Sequence, residues 1–224
     1  MIPSGAPSHR SLLGQPLVLV LLLAANVLPE LVFLLAEAGL IPAPGLRFRA
    51  FAYGAFQPDV MAPPGPLFAL QPGTMFLSYG FLHTGPTHLA VNMLGLLWLG
   101  RRLLAHRTGE AFVTFYILSL IGAAELFALL GPGLSPTVGA SGALFGLLGV
   151  LAVDTGIFAS AEPSAEEPGL QFFRLSLATV ALALVDLASQ ALFGTATAWQ
   201  AHSGGFLTGA VAALIFRPRF RGSL

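Results

Sequence analysis

The sequence predicts an all-α membrane protein, a single domain built as a bundle of six transmembrane helices. Composition comes first: of 224 residues, 55% are hydrophobic and 9% charged, and mean hydropathy is +0.82, values that belong to integral membrane proteins. The apolar residues also fall into stretches of span length, separated by short connections rich in glycine, proline or charge. The third observation is where the arginines lie. All ten basic residues are arginine, and six spans put both termini on one side. If that side is cytoplasmic, Arg10, Arg101, Arg102, Arg107, Arg174, Arg217, Arg219 and Arg221 lie inside and only Arg47 and Arg49 outside, a strong positive-inside bias. Formal charge is zero and cysteine is absent, so no basic surface invites nucleic acid and no thiolate chemistry is available.

Residues 1–15 form a short polar N-terminus on the cytoplasmic side. The apolar run 16–40 is too long for a signal core and is read as a retained first span. Glu30 within it is expected to face the protein interior in a structural role. Residues 41–73 mix proline, glycine and aromatics with Arg47 and Arg49. That make-up fits a membrane-associated first loop resting among headgroups, or equally a folded loop outside the membrane. Residues 74–104 hold the second span, with Pro86 in its first helical turn, where no N–H partner is needed. His88 falls in that turn and Asn92 one turn deeper on the same face. A third span, 111–130, carries Glu125. A Gly/Pro connection, 131–136, leads to a fourth span starting near Ser141. A polar loop around Glu162, Glu166 and Glu167 precedes a fifth span, 172–193, with Asp186, and the sixth covers 199–216.

The stretch Gly139-Ala140-Ser141-Gly142 places a hydroxyl between small residues at the start of a membrane helix. Free N–H groups and the positive end of the helix dipole favour a developing oxyanion there. With the arginine-derived topology, the second, fourth and sixth spans run in one direction, so His88, Ser141 and His202 arrive at one depth near the outer face. Gly142, Gly146 and Gly149 on the fourth span and Gly205 and Gly209 on the sixth allow backbone-to-backbone packing, which brings Ser141 within hydrogen-bonding reach of His202. A histidine so placed can act as general base for the hydroxyl and then as acid for the leaving amine. Asp154 and Asp186 are expected deep or toward the cytoplasmic side, so the proposed unit is a dyad. His83, His88, Asn92 and His202 offer a metal site on paper, but there is no HExxH pair and the second span supplies no adjacent carboxylate, so no metal or other cofactor is expected.

These residues carry a resemblance. Phe81-Leu82-His83, His88-Leu89-Ala90-Val91-Asn92-Met93, Gly139-Ala140-Ser141-Gly142, and Ala201-His202 with Gly205 and Gly209 resemble, in order and from about residue 74 to 216, the rhomboid family of intramembrane serine proteases. The resemblance implies a six-helix rhomboid-like bundle with Ser141 as nucleophile and His202 as base. It further implies that His88 and Asn92 join the Ser141 N–H in stabilising the oxyanion, that Gly205 and Gly209 are close-packing glycines, that His83 is structural, and that the first loop is membrane-embedded. Two positions depart from the family pattern. Thr74-Met75 stands where a Trp-Arg pair is frequent, which bears on how the first loop is anchored. Phe145 stands where a tyrosine often stacks on the catalytic histidine, and it can stack but not hydrogen-bond.

The leading function is hydrolysis of peptide bonds in or beside the transmembrane segments of substrate proteins, within the lipid bilayer. A catalytically inactive rhomboid-like protein that binds membrane clients is the alternative; such relatives typically lack the serine or the histidine. A transporter built on Glu30, Glu125 and Asp186 as buried acids is a third reading, and it leaves the dyad without a role. The lack of lysine beside abundant alanine, leucine and arginine hints at a GC-rich bacterial genome, hence an inner (plasma) membrane location with both termini cytoplasmic.

Overall fold

The computed structural model describes residues 17–130, 135–156, 170, 173–182, 184 and 198–216. These form eight α-helices: α1 (Leu17–Glu37), α2 (Leu46–Gly54), α3 (Gln71–Ser78), α4 (Pro86–Leu103), α5 (Gly109–Leu130), α6 (Ser141–Asp154), α7 (Phe173–Leu182) and α8 (Trp199–Ile215). Among the described residues the one extended pairing is an isolated bridge between Phe56 and Thr137. By length and composition α1 and α5 can cross a bilayer. The fifth expected span is described over Phe173–Leu182, and Asp186 lies outside the described residues.

Local sequence explains the helix limits. Gly85 and Pro86 start α4, and Arg101 and Arg102 in its last turn complement the negative end of its dipole. Thr108 Oγ1 accepts the Ala111 N–H at 3.2 Å and so caps the start of α5. Within 74–104 the second span's long helix starts at Pro86, where its first turn was expected. Residues 74–78 belong to α3, and a 3₁₀ turn covers Tyr79–Phe81. Gly80 and the Gly85-Pro86 pair break the helical run here.

Contacts at both ends fix the helix directions. The starts of α6 and α8 meet where Ser141 lies against His202, and the start of α4 reaches the same place through His88, whose ring lies over Gly139. At the opposite ends, Arg107, just beyond α4, bonds Asp154 at the end of α6 and, at 2.8 Å, the Phe216 carbonyl at the end of α8. Helices α4, α6 and α8 therefore run parallel. Helix α1 opposes them, with Leu19 in its first turn packed on Gly100 near the end of α4. Helix α5 opposes α8, because the Leu130 carbonyl accepts from Gln200 at one end and Phe115 packs on Phe216 at the other.

The tightest seam joins α6 and α8. A Cβ on Gly205 would strike the Gly142 backbone, and one on Gly209 the Gly146 backbone. A Cβ on Gly149 would likewise strike the carbonyl of Phe206. Helix α5 closes the seam from the side, with Ser119 against Gly146 and Ala123 against Gly142. Glycine here is a requirement of helix–helix distance, the usual way helices associate where lipid offers no hydrophobic contrast.

Candidate active site

Gly139 turns the chain into α6 with φ 123°, a backbone region that side-chain-bearing residues rarely enter. A Cβ there would also lie 2.9 Å from His88 Nε2. The Gly139 N–H donates to the Tyr79 carbonyl at 2.9 Å, which ties the 3₁₀ turn to this corner. Ser141 is the first residue of α6, so its N–H is among those with no intrahelical acceptor. Its Oγ lies 3.0 Å from His202 Nε2, contributed by the first turn of α8. Phe145, one turn into α6, stacks on the His202 ring at 4.2 Å between centroids and 25° between planes. A flat apolar surface on α6 thus fixes the imidazole plane, while its Nε2 edge meets the hydroxyl. Ser141, His202 and His88 are half-buried, accessible enough to meet a ligand.

His88 stands across Gly139 from the serine. Its Nδ1 is 3.1 Å from Thr84 Oγ1, and the His83 ring meets it edge-on with centroids 5.1 Å apart. When the Thr84 hydroxyl donates to Nδ1, the ring proton resides on Nε2, the nitrogen on the Gly139 side. Asn92 is buried, and its amide donates to the His88 carbonyl at 2.8 Å. One of its N–H bonds is thereby spent on its own helix.

The first loop is folded and tied down at several points. Phe56 and Thr137 exchange two backbone hydrogen bonds of 3.0 Å, Ser78 Oγ donates to the Gly54 carbonyl at 2.7 Å, and Gln71 Nε2 to the Ala52 carbonyl at 2.7 Å. Arg47 in α2 makes the largest connection. It pairs with Glu30 through Nη1 (2.7 Å) and Nη2 (3.0 Å), and with Glu37 through Nε (2.7 Å) and Nη2 (3.2 Å). Its Nη1 also donates to the His83 carbonyl at 2.7 Å. Glu37 first, then Glu30, hold the guanidinium proton more tightly than water would. The loop that lacks a Trp-Arg pair thus has an arginine anchor elsewhere, a connection that follows no sequence pattern. Thr84 and Tyr79 were missed for the same reason.

The acids sort differently from their sequence grouping. Glu30 is buried and paired with Arg47, as a structural acid would be. Glu125 is exposed on α5, which corrects its reading as a buried acid and removes one member of the transporter set. Asp154 is committed to Arg107 and His106 at the far ends of the helices, away from Ser141.

An all-helical membrane protein with a serine–histidine pair at the joined starts of two helices is what fold and site define together. The chain belongs to the rhomboid family: residues 72–219 match the family's Rhomboid domain. A stretch of 78 residues is 44% identical to RHOMBOID-like protein 4 of Arabidopsis thaliana, covering 34% of this chain and 19% of that protein. The match therefore spans about a fifth of the relative's length.

Proposed function

We propose that this protein is an intramembrane serine endopeptidase that cuts peptide bonds in or next to the transmembrane segments of other proteins. The observation that carries the reading is the 3.0 Å contact of Ser141 Oγ with His202 Nε2 across 61 residues of chain. In this mechanism Nε2 takes the hydroxyl proton as Oγ attacks the scissile carbonyl carbon, and the oxyanion forms beside the Ser141 N–H and the His88 Nε2–H. Collapse breaks the C–N bond, and His202 passes its proton to the departing amine. Water then attacks the acyl-enzyme with His202 again as base, and the returned proton restores Ser141. The fourteen residues of α6 reach about 21 Å at 1.5 Å per residue, short of a hydrocarbon core of about 30 Å. That shortfall supports a serine recessed below the outer surface, reached by a locally unwound substrate. Cleavage of a purified transmembrane substrate in proteoliposomes tests the reading; a catalytically silent client-binding protein would bind the substrate and leave it whole.

His88 and Asn92 are assigned to the oxyanion and not to the serine proton. His88→Ala and Asn92→Ala are each expected to lower kcat by roughly 10- to 1,000-fold with KM little changed, since a donor that acts only in the transition state affects turnover. Asn92 should fall at the mild end, because one of its N–H bonds is held by the His88 carbonyl. Steady-state kinetics of the two variants check this, and two kinetically normal proteins would leave the oxyanion to backbone donors alone. The arginine distribution further supports a topology with both termini cytoplasmic, in which a reporter fused after Leu224 is active only there. Activity in the opposite compartment would invert the site's orientation.

A further inference from the structure

We infer that Arg47 is a positioning residue for His88, acting through the peptide that joins His83 to Thr84; this rests on the protease reading above. All five guanidinium N–H bonds are committed, to Glu30, Glu37 and the His83 carbonyl. Four of them tie α2 to the side and end of α1. The fifth pins a peptide unit in the segment leading to α4. That peptide lies between the two residues that touch the His88 ring: His83, whose ring packs edge-on against it, and Thr84, whose hydroxyl bonds its Nδ1. His88 in turn lies over Gly139, on the side of the Ser141 hydroxyl.

The buried Glu30 carboxylate makes Arg47 a fixed reference point. It holds two of the arginine's five donors, its side chain is 1% exposed, and the guanidinium also lies 5.1 Å from the centroid of the Phe33 ring. A displacement of the His83–Thr84 peptide would move both neighbours of the imidazole together, and with them the proton on Nε2. Lysine cannot substitute, because one ammonium cannot span two carboxylates and a carbonyl in this fork.

The test uses the purified full chain and a fluorogenic transmembrane substrate. Glu30→Leu/Arg47→Met removes both charges, so that no carboxylate stays buried without its partner. It is compared with wild type, His88→Ala and the triple variant. A small misplacement of an oxyanion donor predicts a fall in kcat of about 10- to 100-fold with KM within about twofold. The triple variant should turn over within about threefold of His88→Ala, because the clamp has nothing left to position. A merely structural clamp would multiply the two losses. Multiplied losses, or a normal kcat in the paired variant, overturn the inference. Should the paired variant not fold, Arg47→Lys carries the same comparison, with loss of kcat expected only while His88 is present. Wild-type protein that is folded yet never cleaves would remove the protease reading itself, and is seen before any variant is compared.

Discussion

Ser141→Ala and His202→Ala should each reduce proteolysis by roughly 10⁴- to 10⁶-fold, to background, and the double variant should be no worse than either alone. The reason is the shared proton. Without Nε2 as acceptor the Ser141 hydroxyl is a weak nucleophile, and without Oγ the imidazole has nothing to activate. Neither substitution should unfold the protein, because both side chains are half-buried at the open ends of their helices and neither change adds volume to the α6–α8 glycine seam. Cleavage assays paired with thermal unfolding of the same preparations check both halves of the prediction.

The second large effect lies in stability. Gly209→Val should cost at least about 3 kcal/mol, the upper end for overpacking, and lower Tm by roughly 6–12 °C. A Cβ at 209 would lie 2.5 Å from the Gly146 carbonyl carbon and 2.7 Å from its Cα, and at 205 it would lie 2.8 Å from the Gly142 carbonyl carbon. These are backbone atoms of a neighbouring helix, so no rotamer change relieves the contact and α6 must separate from α8. The Ser141–His202 contact spans that seam, so activity should fall with stability. Gly73 offers the control: a Cβ there meets nothing within 4 Å, and Gly73→Ala should be neutral or slightly stabilising through helix propensity. A stable, active Gly209→Val protein would place the critical packing elsewhere.

Much of the site's frame was legible because it depends on periodic or compositional signals. Alternation of the spans made the second, fourth and sixth parallel, and Arg107 ties the three corresponding far ends together. Glycines at four-residue spacing marked the face where α6 and α8 approach, and Pro86 marked the start of α4. What escaped the sequence was not periodic. Arg47 reaches Glu30 and His83 across 17 and 36 residues, and nothing in its sequence surroundings distinguishes it from Arg49, which bonds the nearby Pro44 carbonyl at 2.6 Å. The short helix α3 and the 3₁₀ turn ahead of Pro86 escaped the sequence because Gln71–Phe81 carries no capping side chain that would mark them. Glu125 was misread because an acid in an apolar helix gives no sign of which face it occupies.

The account turns on whether Ser141 is an activated nucleophile, and covalent labelling measures that without knowledge of any natural substrate. The purified chain in detergent is treated with a fluorophosphonate and the adduct located by mass spectrometry of its peptides. One phosphonyl group on Ser141 is expected, absent from Ser141→Ala, greatly slowed in His202→Ala, and present but slower in His88→Ala. Folded wild-type protein that takes no label, or that is labelled at a serine other than 141, would contradict the account.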